Sequence, residues 1–148
     1  MKKISKLVLS LLLAVVLAAT CTACSKKTES PAIVEKSGLW ANATYQADTE
    51  FGQGEKTVVV EVKADDNSVK FTVHTDETTV GAALMAHDLI AGDMGDYGLY
   101  VKVVNGITAD YDVDQSYWAF YIDDEYAMTG VDTTEIAEGA TYKLEYTK

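Results

Sequence analysis

The chain has few of the residues that cross-link a fold or bind a polyanion. Its 148 residues include two cysteines, a single proline and no arginine. Because both cysteines, Cys21 and Cys24, lie near the N-terminus, the rest of the chain has no disulfide, no thiolate nucleophile and no zinc–thiolate site. The chain has 12 lysines and 23 acidic residues, so acidic side chains outnumber basic ones. Since proteins bind nucleic acid by neutralising phosphates with Lys and Arg, we expect no nucleic-acid partner.

Signatures of catalysis are also missing from the sequence. No serine lies in a Gly-x-Ser-x-Gly elbow, and no glycine-rich phosphate loop is present. The acidic pairs Asp65-Asp66 and Asp123-Asp124 are typical of turns in a chain this acidic. We therefore predict that the protein is not an enzyme and assign no catalytic residue.

The N-terminus has the pattern of an export signal. Residues 7–19 are almost wholly apolar and follow three lysines. This run is shorter than the ~20 apolar residues that span a bilayer, but it suits the core of a signal peptide. Thr22 and Ala23 then precede Cys24, which resembles the lipobox of bacterial lipoproteins, with Cys21 where leucine is usual. An ordinary secretory signal is the alternative.

These features predict three segments: a lipoprotein signal peptide over residues 1–23, a lipidated Cys24 with a flexible linker over 24–38, and one folded domain over 39–148. The protein would be anchored by its lipid to the cell membrane, on the extracytoplasmic face, with the bilayer as a partner. Without the signal peptide, nine lysines remain against 23 acidic residues, a net charge of −14. Such a charge favours solubility, and we expect a monomer.

Alternating apolar residues predict a hairpin in the first half of the domain. Residues 57–63 and 68–75 alternate as strands, with turn residues between them. The two strands present one shared apolar face, made by Val58, Val60, Val62, Val69, Phe71 and Val73.

A helix is predicted after the hairpin, because apolar residues recur at intervals of three and four. Asp76 or Thr78 would cap its start, and Gly92 would end it. The inward stripe of this helix consists of Val80, Ala83, Leu84, His87 and Ile90.

The sequence of the second half of the domain predicts further strands. Asn105 and Gly106 favour a tight hairpin turn, since both residues tolerate positive φ. The predicted strands are 40–45 at an edge, 100–104, 107–111, 117–123, 125–128 and 141–146. One main helix with a mixed sheet is an α+β pattern, and its arrangement is that of a β-grasp.

Four motifs occur in a characteristic order: 79–84, 100–107, 117–125 with 130–132 after it, and 136–144. Together they resemble the bacterial domain of unknown function DUF4430, which is similar to the C-terminal domain of transcobalamin and intrinsic factor. The resemblance implies a β-grasp-like mixed sheet with one main helix, in a domain that closes over one face of cobalamin. Carried over to this chain, the ligand-binding positions are Tyr117, Trp118, Gly130, Val131 and Asp132.

The chain departs from that pattern in two ways. Asp123-Asp124 replaces the usual Asn-Gly of the second hairpin, and the larger domain that makes most vitamin contacts is absent. Trp118 admits two interpretations: alternation with Phe120 and Ile122 places it in the core, whereas the resemblance places it near the ligand. We predict that Trp118 lies exposed at the rim, where it stacks on the ligand, and that its replacement by alanine leaves a folded domain with weakened corrinoid binding.

The sequence contains two sets of potential metal ligands. Asp110, Asp112 and Asp114 resemble the start of a calcium loop, but Gln115 and Tyr121 stand where an EF-hand needs glycine and a bidentate acid. If extended, this stretch would present its three carboxylates on one side, either as a weak calcium site or as a solvated acidic loop. His74 and His87 could ligate a metal, yet a surface His74 and a partly buried His87 are favoured, so no metal ligand is assigned.

The leading hypothesis is a membrane-anchored extracellular lipoprotein that captures a corrinoid (cobalamin) or a related cofactor for uptake. Its partners would include an uptake transporter or a partner binding domain. One alternative is a cell-surface protein-interaction module with no small ligand, because the large ligand-binding domain is missing. The other is a calcium- or metal-binding domain that uses the acidic loops.

Overall fold

The protein is described by a computed structural model over residues 37–148. The predicted signal peptide 1–23, Cys24 and the linker up to residue 36 lie outside the described residues. From residue 37 onward the fold is mixed α+β, as expected, with two short helices and two sheets.

The elements follow one another in this order: a 3-10 helix Gly38–Asn42, β1 Thr49–Gly52, β2 Lys56–Ala64, β3 Asn67–Thr75, α1 Val80–Met85, β4 Ile90–Gly95, β5 Gly98–Val104, β6 Ile107–Thr108, α2 Tyr111–Asp114, β7 Tyr117–Ile122, β8 Glu125–Tyr126 and β9 Thr141–Thr147.

The larger sheet has six strands in the order β1-β3-β2-β9-β7-β8. The pairs β1–β3 and β2–β9 are parallel, and the other pairs are antiparallel. The smaller sheet is antiparallel, in the order β4-β5-β6. The narrower β-grasp arrangement is not confirmed, because the main helix has only six residues and a second sheet is present.

The predicted β2–β3 hairpin is confirmed and supplies the centre of the core. Val60 pairs with Phe71, and the next pairs on the same face of the hairpin, Val58 with Val73 and Val62 with Val69, are also apolar. All six predicted apolar residues are almost completely buried. Burying a large apolar side chain contributes about 1.5–3 kcal/mol, so the period-two pattern itself selects this face for the interior.

The prediction that the helix extends to Gly92 is wrong, because α1 ends at Met85. Asp88 has a left-handed φ of 55°. The Leu89 N–H donates to the Leu84 carbonyl at 3.0 Å and the Asp88 N–H to Met85 at 3.1 Å. These are the two bonds of a Schellman motif, with aspartate in place of glycine. The chain then turns into β4, where Ile90 pairs with Val104.

The predicted edge strand 40–45 is also wrong. Residues Gly38–Asn42 form a 3-10 helix, and the edge of the large sheet is β1 instead. Trp40 is fully buried, and its indole N–H donates to the Ala64 carbonyl at 2.8 Å. A strand would have turned alternate residues outward, whereas the short helix lets Trp40 cover the end of the core.

Asn105 fastens this N-terminal segment to the smaller sheet. Its side-chain oxygen accepts from the Tyr45 N–H at 2.8 Å, and its side-chain amide donates to the Tyr45 carbonyl at 2.7 Å. Its own backbone carbonyl accepts from the Thr44 N–H at 2.9 Å. The residue has a φ of 52° and is 1% exposed. The predicted Asn-Gly turn is confirmed, and its asparagine also serves as a buried link between elements.

Candidate functional site

A hairpin arm projects from the smaller sheet. We define it as residues 92–101, the part of β4 and β5 beyond a break in register between Ala91 and Gly92. A side chain at Gly92 would collide with the carbonyl oxygen of Tyr100, so the two strands approach closely only because residue 92 is glycine. Every residue from Ala91 to Tyr97 is exposed. The first strand and turn of the arm therefore present their side chains to solvent, whereas Leu99 and Val101 on its second strand pack against the core.

Large apolar side chains are exposed on the arm and on a neighbouring loop. Tyr97 is fully exposed, Met94 is 74% exposed and Met128 is 94% exposed. Met94 and Tyr97 lie on the arm, and Met128 precedes the predicted binding residues Gly130–Asp132. Each is an exposed apolar side chain that a bound ligand or partner could cover.

Asp132 joins the arm to the 129–134 loop. Its Oδ2 atom accepts a hydrogen bond from the Leu99 N–H at 3.1 Å. A Cβ atom at Gly98 would lie 2.6 Å from Asp132 Oδ2, and one at Gly130 would lie 2.7 Å from Asp132 Oδ1. Glycine at both positions therefore makes room for the carboxylate at the base of the arm.

The same loop is held against the start of α1. The Gly81 N–H donates to the Val131 carbonyl at 2.7 Å, and the Val80 N–H donates to the Thr134 carbonyl at 2.9 Å. A Cβ atom at Gly81 would lie 2.8 Å from the Asp132 backbone. Gly81 is thus a site-forming residue that the sequence interpretation missed, and the only signal was a glycine inside a predicted helix.

We expect replacement of Asp132 by alanine to loosen the arm. The variant loses the Leu99 hydrogen bond, so the Leu99 amide should exchange with deuterium about 5–30 times faster, as a loss of ~1–2 kcal/mol implies. Asp132→Asn is the matched control, because its amide oxygen can still accept from Leu99. Equal exchange rates in wild type and Asp132→Ala would show that this bond does not hold the arm.

Tyr117 and Trp118 lie at the start of β7, paired with Thr147 and Tyr146 of β9. Tyr117 is half-buried. Trp118 is 7% exposed and packs edge-on against the Tyr146 ring, with centroids 5.7 Å apart. The expectation of an exposed Trp118 is therefore wrong, because strand alternation turns this side chain toward the core.

Two buried polar atoms have no partner within residues 37–148: the Trp118 indole N–H and the Asp132 Oδ1 oxygen. An unpaired buried polar group costs about 1–3 kcal/mol and calls for a physical explanation. Both atoms belong to the five residues that the family resemblance assigns to ligand binding. One is a hydrogen-bond donor and the other an acceptor, and each is enclosed by protein, so a ligand could reach either atom only if the side chains around it move.

The predicted site residues fall into two groups. Gly130, Val131 and Asp132 come together with the start of α1 and the base of the arm through the hydrogen bonds described above. Tyr117 and Trp118 are positioned by β9. The loop group was assigned from the resemblance alone, and its long-range partners had no counterpart in the local sequence pattern.

The acidic stretch 110–114 does not present its carboxylates on one side. It begins the short helix α2, with Asp110 accepting from the Asp112 N–H at 3.0 Å as the N-cap. Asp110 also lies 3.7 Å from the Lys102 ammonium, whereas Asp114 binds Ser116 and Lys148. The extended arrangement is therefore wrong, since capping makes the stretch helical.

Across the part of the chain that the structure describes, no group of three or more His, Cys, Asp or Glu side chains is arranged to hold a metal ion. His74 lies at the surface, 2.7 Å from Glu50 and 3.2 Å from the Thr57 hydroxyl. His87 is half-buried against the ring of Phe51, with centroids 5.5 Å apart. The predicted positions are confirmed, with His74 at the surface and His87 partly buried.

We expect Asp114 to make stability depend on acid pH. Hydrogen bonds from Ser116, with help from the Lys148 ammonium, lower the pKa of Asp114 from 3.8 to about 2. A lowered native pKa contributes stability that is complete above about pH 4 and is lost as the pH falls through about 2. Asp114→Asn should lower the urea midpoint at neutral pH, with a difference from wild type that shrinks toward pH 2.

Asp112→Asn is the matched control for this experiment, because Asp112 is exposed on the same helix and its side chain has no such contacts. The urea midpoints of wild type and of both variants, measured from neutral pH down to about pH 2, show whether Asp114 causes the pH dependence of stability. A gap between Asp114→Asn and wild type that stays constant with pH would contradict the assignment.

Comparison with known families and structures gives two kinds of match. The model of the family described as "Domain of unknown function (DUF4430)" matches residues 77–148. The crystal structure of a proposed metal-binding protein from Ruminococcus gnavus is 30% identical, covering 64% of this chain and 98% of that one with a TM-score of 0.60. The comparison with curated proteins gives no match.

Haptocorrin in complex with Cbi is a more distant structural match. It is 14% identical and has a TM-score of 0.50, and the match covers 66% of this chain but 26% of the haptocorrin chain. At this identity the likeness concerns the fold alone. Within residues 37–148 no helix has the length and apolar character needed to cross a membrane.

Proposed function

The chain belongs to the DUF4430 family, and from that membership we propose that it is a non-enzymatic, lipid-anchored binding protein on the extracytoplasmic face of the cell membrane. Its ligand would be a corrinoid or a related cofactor, which it would pass to an uptake transporter or hold together with a partner binding domain. The observation that carries this proposal is the pair of unpartnered buried atoms, Trp118 Nε1 and Asp132 Oδ1.

The surface around Asp132 suits a large ligand with an apolar body and polar edges. Binding sites of this kind combine apolar area with a few well-placed polar groups. Met94, Tyr97 and Met128 supply exposed apolar area, and the Asp132 carboxylate supplies an acceptor at the base of the arm. The likeness to haptocorrin, a protein seen in complex with Cbi, is what directs the proposal toward a corrinoid.

Equilibrium dialysis of the full chain, purified in mild detergent, against cyanocobalamin tests the proposal. Retained corrinoid is read from its visible absorbance. We expect saturable binding with a dissociation constant below about 1 mM, which corresponds to about −4 kcal/mol. Tyr126→Ala is a control variant, because Tyr126 is exposed on the edge strand β8 and is not part of the arm. Absence of binding to wild type would leave the protein-interaction module as the better interpretation.

A metal-binding function is the second candidate, because a 30% identical protein is proposed to bind metal. The described residues offer no cluster of three ligands, so metal would need fewer protein ligands or residues outside 37–148. Calcium and zinc should each be added to the chelated protein while its melting temperature is followed. A saturable rise would favour this function, and an unchanged melting temperature would exclude it.

The lipid anchor predicts a specific mature N-terminus. Processing between Ala23 and Cys24 would leave a lipidated Cys24 as the first residue. We expect mass spectrometry of the membrane-extracted protein to find an acylated N-terminal peptide beginning at Cys24, and Cys24→Ala to release the protein from the membrane. An unmodified N-terminus at another residue would reject the anchor and support an ordinary secretory signal.

A further inference from the structure

The methionines of the folded domain are unusually exposed. Met85 is 42% exposed, Met94 is 74% exposed and Met128 is 94% exposed, although methionine is a residue that proteins commonly bury. Residues 37–148 contain no cysteine. The thioether sulfurs of these three methionines are therefore the sulfur atoms in this part of the chain that an oxidant can reach.

Two of the three methionines flank the Asp132 bridge. Met94 pairs with Leu99 in the β4–β5 register, and Leu99 donates the hydrogen bond to Asp132. Met128 precedes Gly130 on the loop that carries Asp132. Met85 lies at the far end of α1, away from the residues at its start that hold this loop.

We propose that Met94 and Met128 are oxidation sites through which peroxide switches the apolar surface of the arm to a polar one. Hydrogen peroxide transfers one oxygen atom to the thioether: a sulfur lone pair forms the S–O bond, the O–O bond breaks, and water leaves. Sulfur is oxidised and peroxide is reduced, so no further reactant is needed. The product, methionine sulfoxide, is polar and can be reduced again enzymatically.

Oxidation of this surface has two consequences. The arm should become less apolar whatever it binds, because each sulfoxide replaces a thioether at an exposed position. If the surface also holds the ligand of the proposed function, affinity for that ligand should fall. The second consequence rests on the proposed function, whereas the first does not.

The test begins with the full chain in mild detergent, treated with hydrogen peroxide and sampled over time by peptide mass spectrometry. We expect Met128 and Met94 to gain oxygen faster than Met85, in the order of their exposure. Retention on a hydrophobic-interaction column should fall as they do so. The affinity for cyanocobalamin should fall about tenfold, the size expected for losing one apolar contact in a site.

The matched variant is Met94→Leu with Met128→Leu, which keeps apolar side chains of similar size but cannot be oxidised there. It should keep its column retention and its affinity after peroxide, whereas Met85→Leu should respond as wild type does.

Faster oxidation of Met85, or equal loss of retention in the double variant, would overturn the proposal. Unchanged cyanocobalamin affinity after full oxidation of both sites would overturn the second consequence, that oxidation weakens ligand binding. A reduced wild type that binds no cyanocobalamin would instead reject the proposed function, with column retention still deciding the oxidation sites.

Discussion

Asn105→Ala should lower the free energy of unfolding by about 3 kcal/mol, from two lost hydrogen bonds at ~1 kcal/mol each and a left-handed backbone that costs alanine ~1 kcal/mol or more. The two lost bonds join the Asn105 side chain to the backbone N–H and carbonyl of Tyr45. Their loss would release the segment that carries Trp40, the aromatic ring covering one end of the core. Urea unfolding of both proteins measures the difference.

Asn105→Gly separates the two contributions. Glycine adopts a φ of 52° without strain, so this variant loses only the side-chain bonds and should be about 1 kcal/mol more stable than Asn105→Ala. A loss below about 1 kcal/mol in Asn105→Ala would mean that Tyr45 finds other partners. The link between the N-terminal segment and the β5–β6 turn would then be unimportant for stability.

Replacement of Trp118 by alanine should cost about 3–5 kcal/mol of stability, the range for a fully buried large aromatic side chain. This reverses the expectation drawn from the sequence, because Trp118 is 7% exposed and packs on Tyr146. Trp118→Phe should behave differently. It retains a ring and removes the unpartnered N–H, so the lost volume is offset by relief of a penalty of ~1–3 kcal/mol.

Trp40→Phe is the matched control for this comparison. The Trp40 N–H is paired with the Ala64 carbonyl at 2.8 Å, so its removal breaks a buried bond and should cost clearly more than Trp118→Phe. Chemical denaturation of wild type and of both variants measures the free energy of unfolding that each substitution costs. Equal losses in both would show that the Trp118 N–H already has a partner in the free protein and is not left open for a ligand.

The hairpins could be predicted from the sequence because their signals are local. Alternation in β2 and β3 separates a buried face from an exposed one, and asparagine or aspartate at tight turns tolerates positive φ. Asn105, Asp123 and Asp124 all adopt positive φ as those turns require. The Asp123-Asp124 turn forms although it lacks the glycine typical of the family, since aspartate also enters the left-handed region.

The end of α1 could not be predicted, because the apolar spacing continues past it. Ile90 fits the helical stripe equally well, but its side chain is buried as part of β4, opposite Val104. The chain leaves the helix at Asp88, whose left-handed conformation carries no distinctive sequence signal. Pairing with β5 therefore overrides local periodicity.

The binding residues were only partly accessible to sequence reasoning. The resemblance located Gly130, Val131 and Asp132, but their contacts with Gly81 and Leu99 join residues far apart in the chain. No local pattern predicts that a glycine in a helix makes room for a distant loop. The unpartnered state of the Asp132 oxygen is likewise a property of packing, so it emerged only with the three-dimensional arrangement.

The proposed function depends on the unpartnered atoms of Trp118 and Asp132 binding the ligand. The most direct test compares the cyanocobalamin affinity of wild type with that of the Trp118→Phe, Asp132→Asn double variant in the same dialysis experiment, after unfolding curves have confirmed that both are folded. The account predicts that wild type binds and that the double variant binds at least about tenfold more weakly, the effect of ~1.4 kcal/mol. Equal affinity of the two folded proteins, or no binding by wild type up to about 1 mM cyanocobalamin, would contradict it.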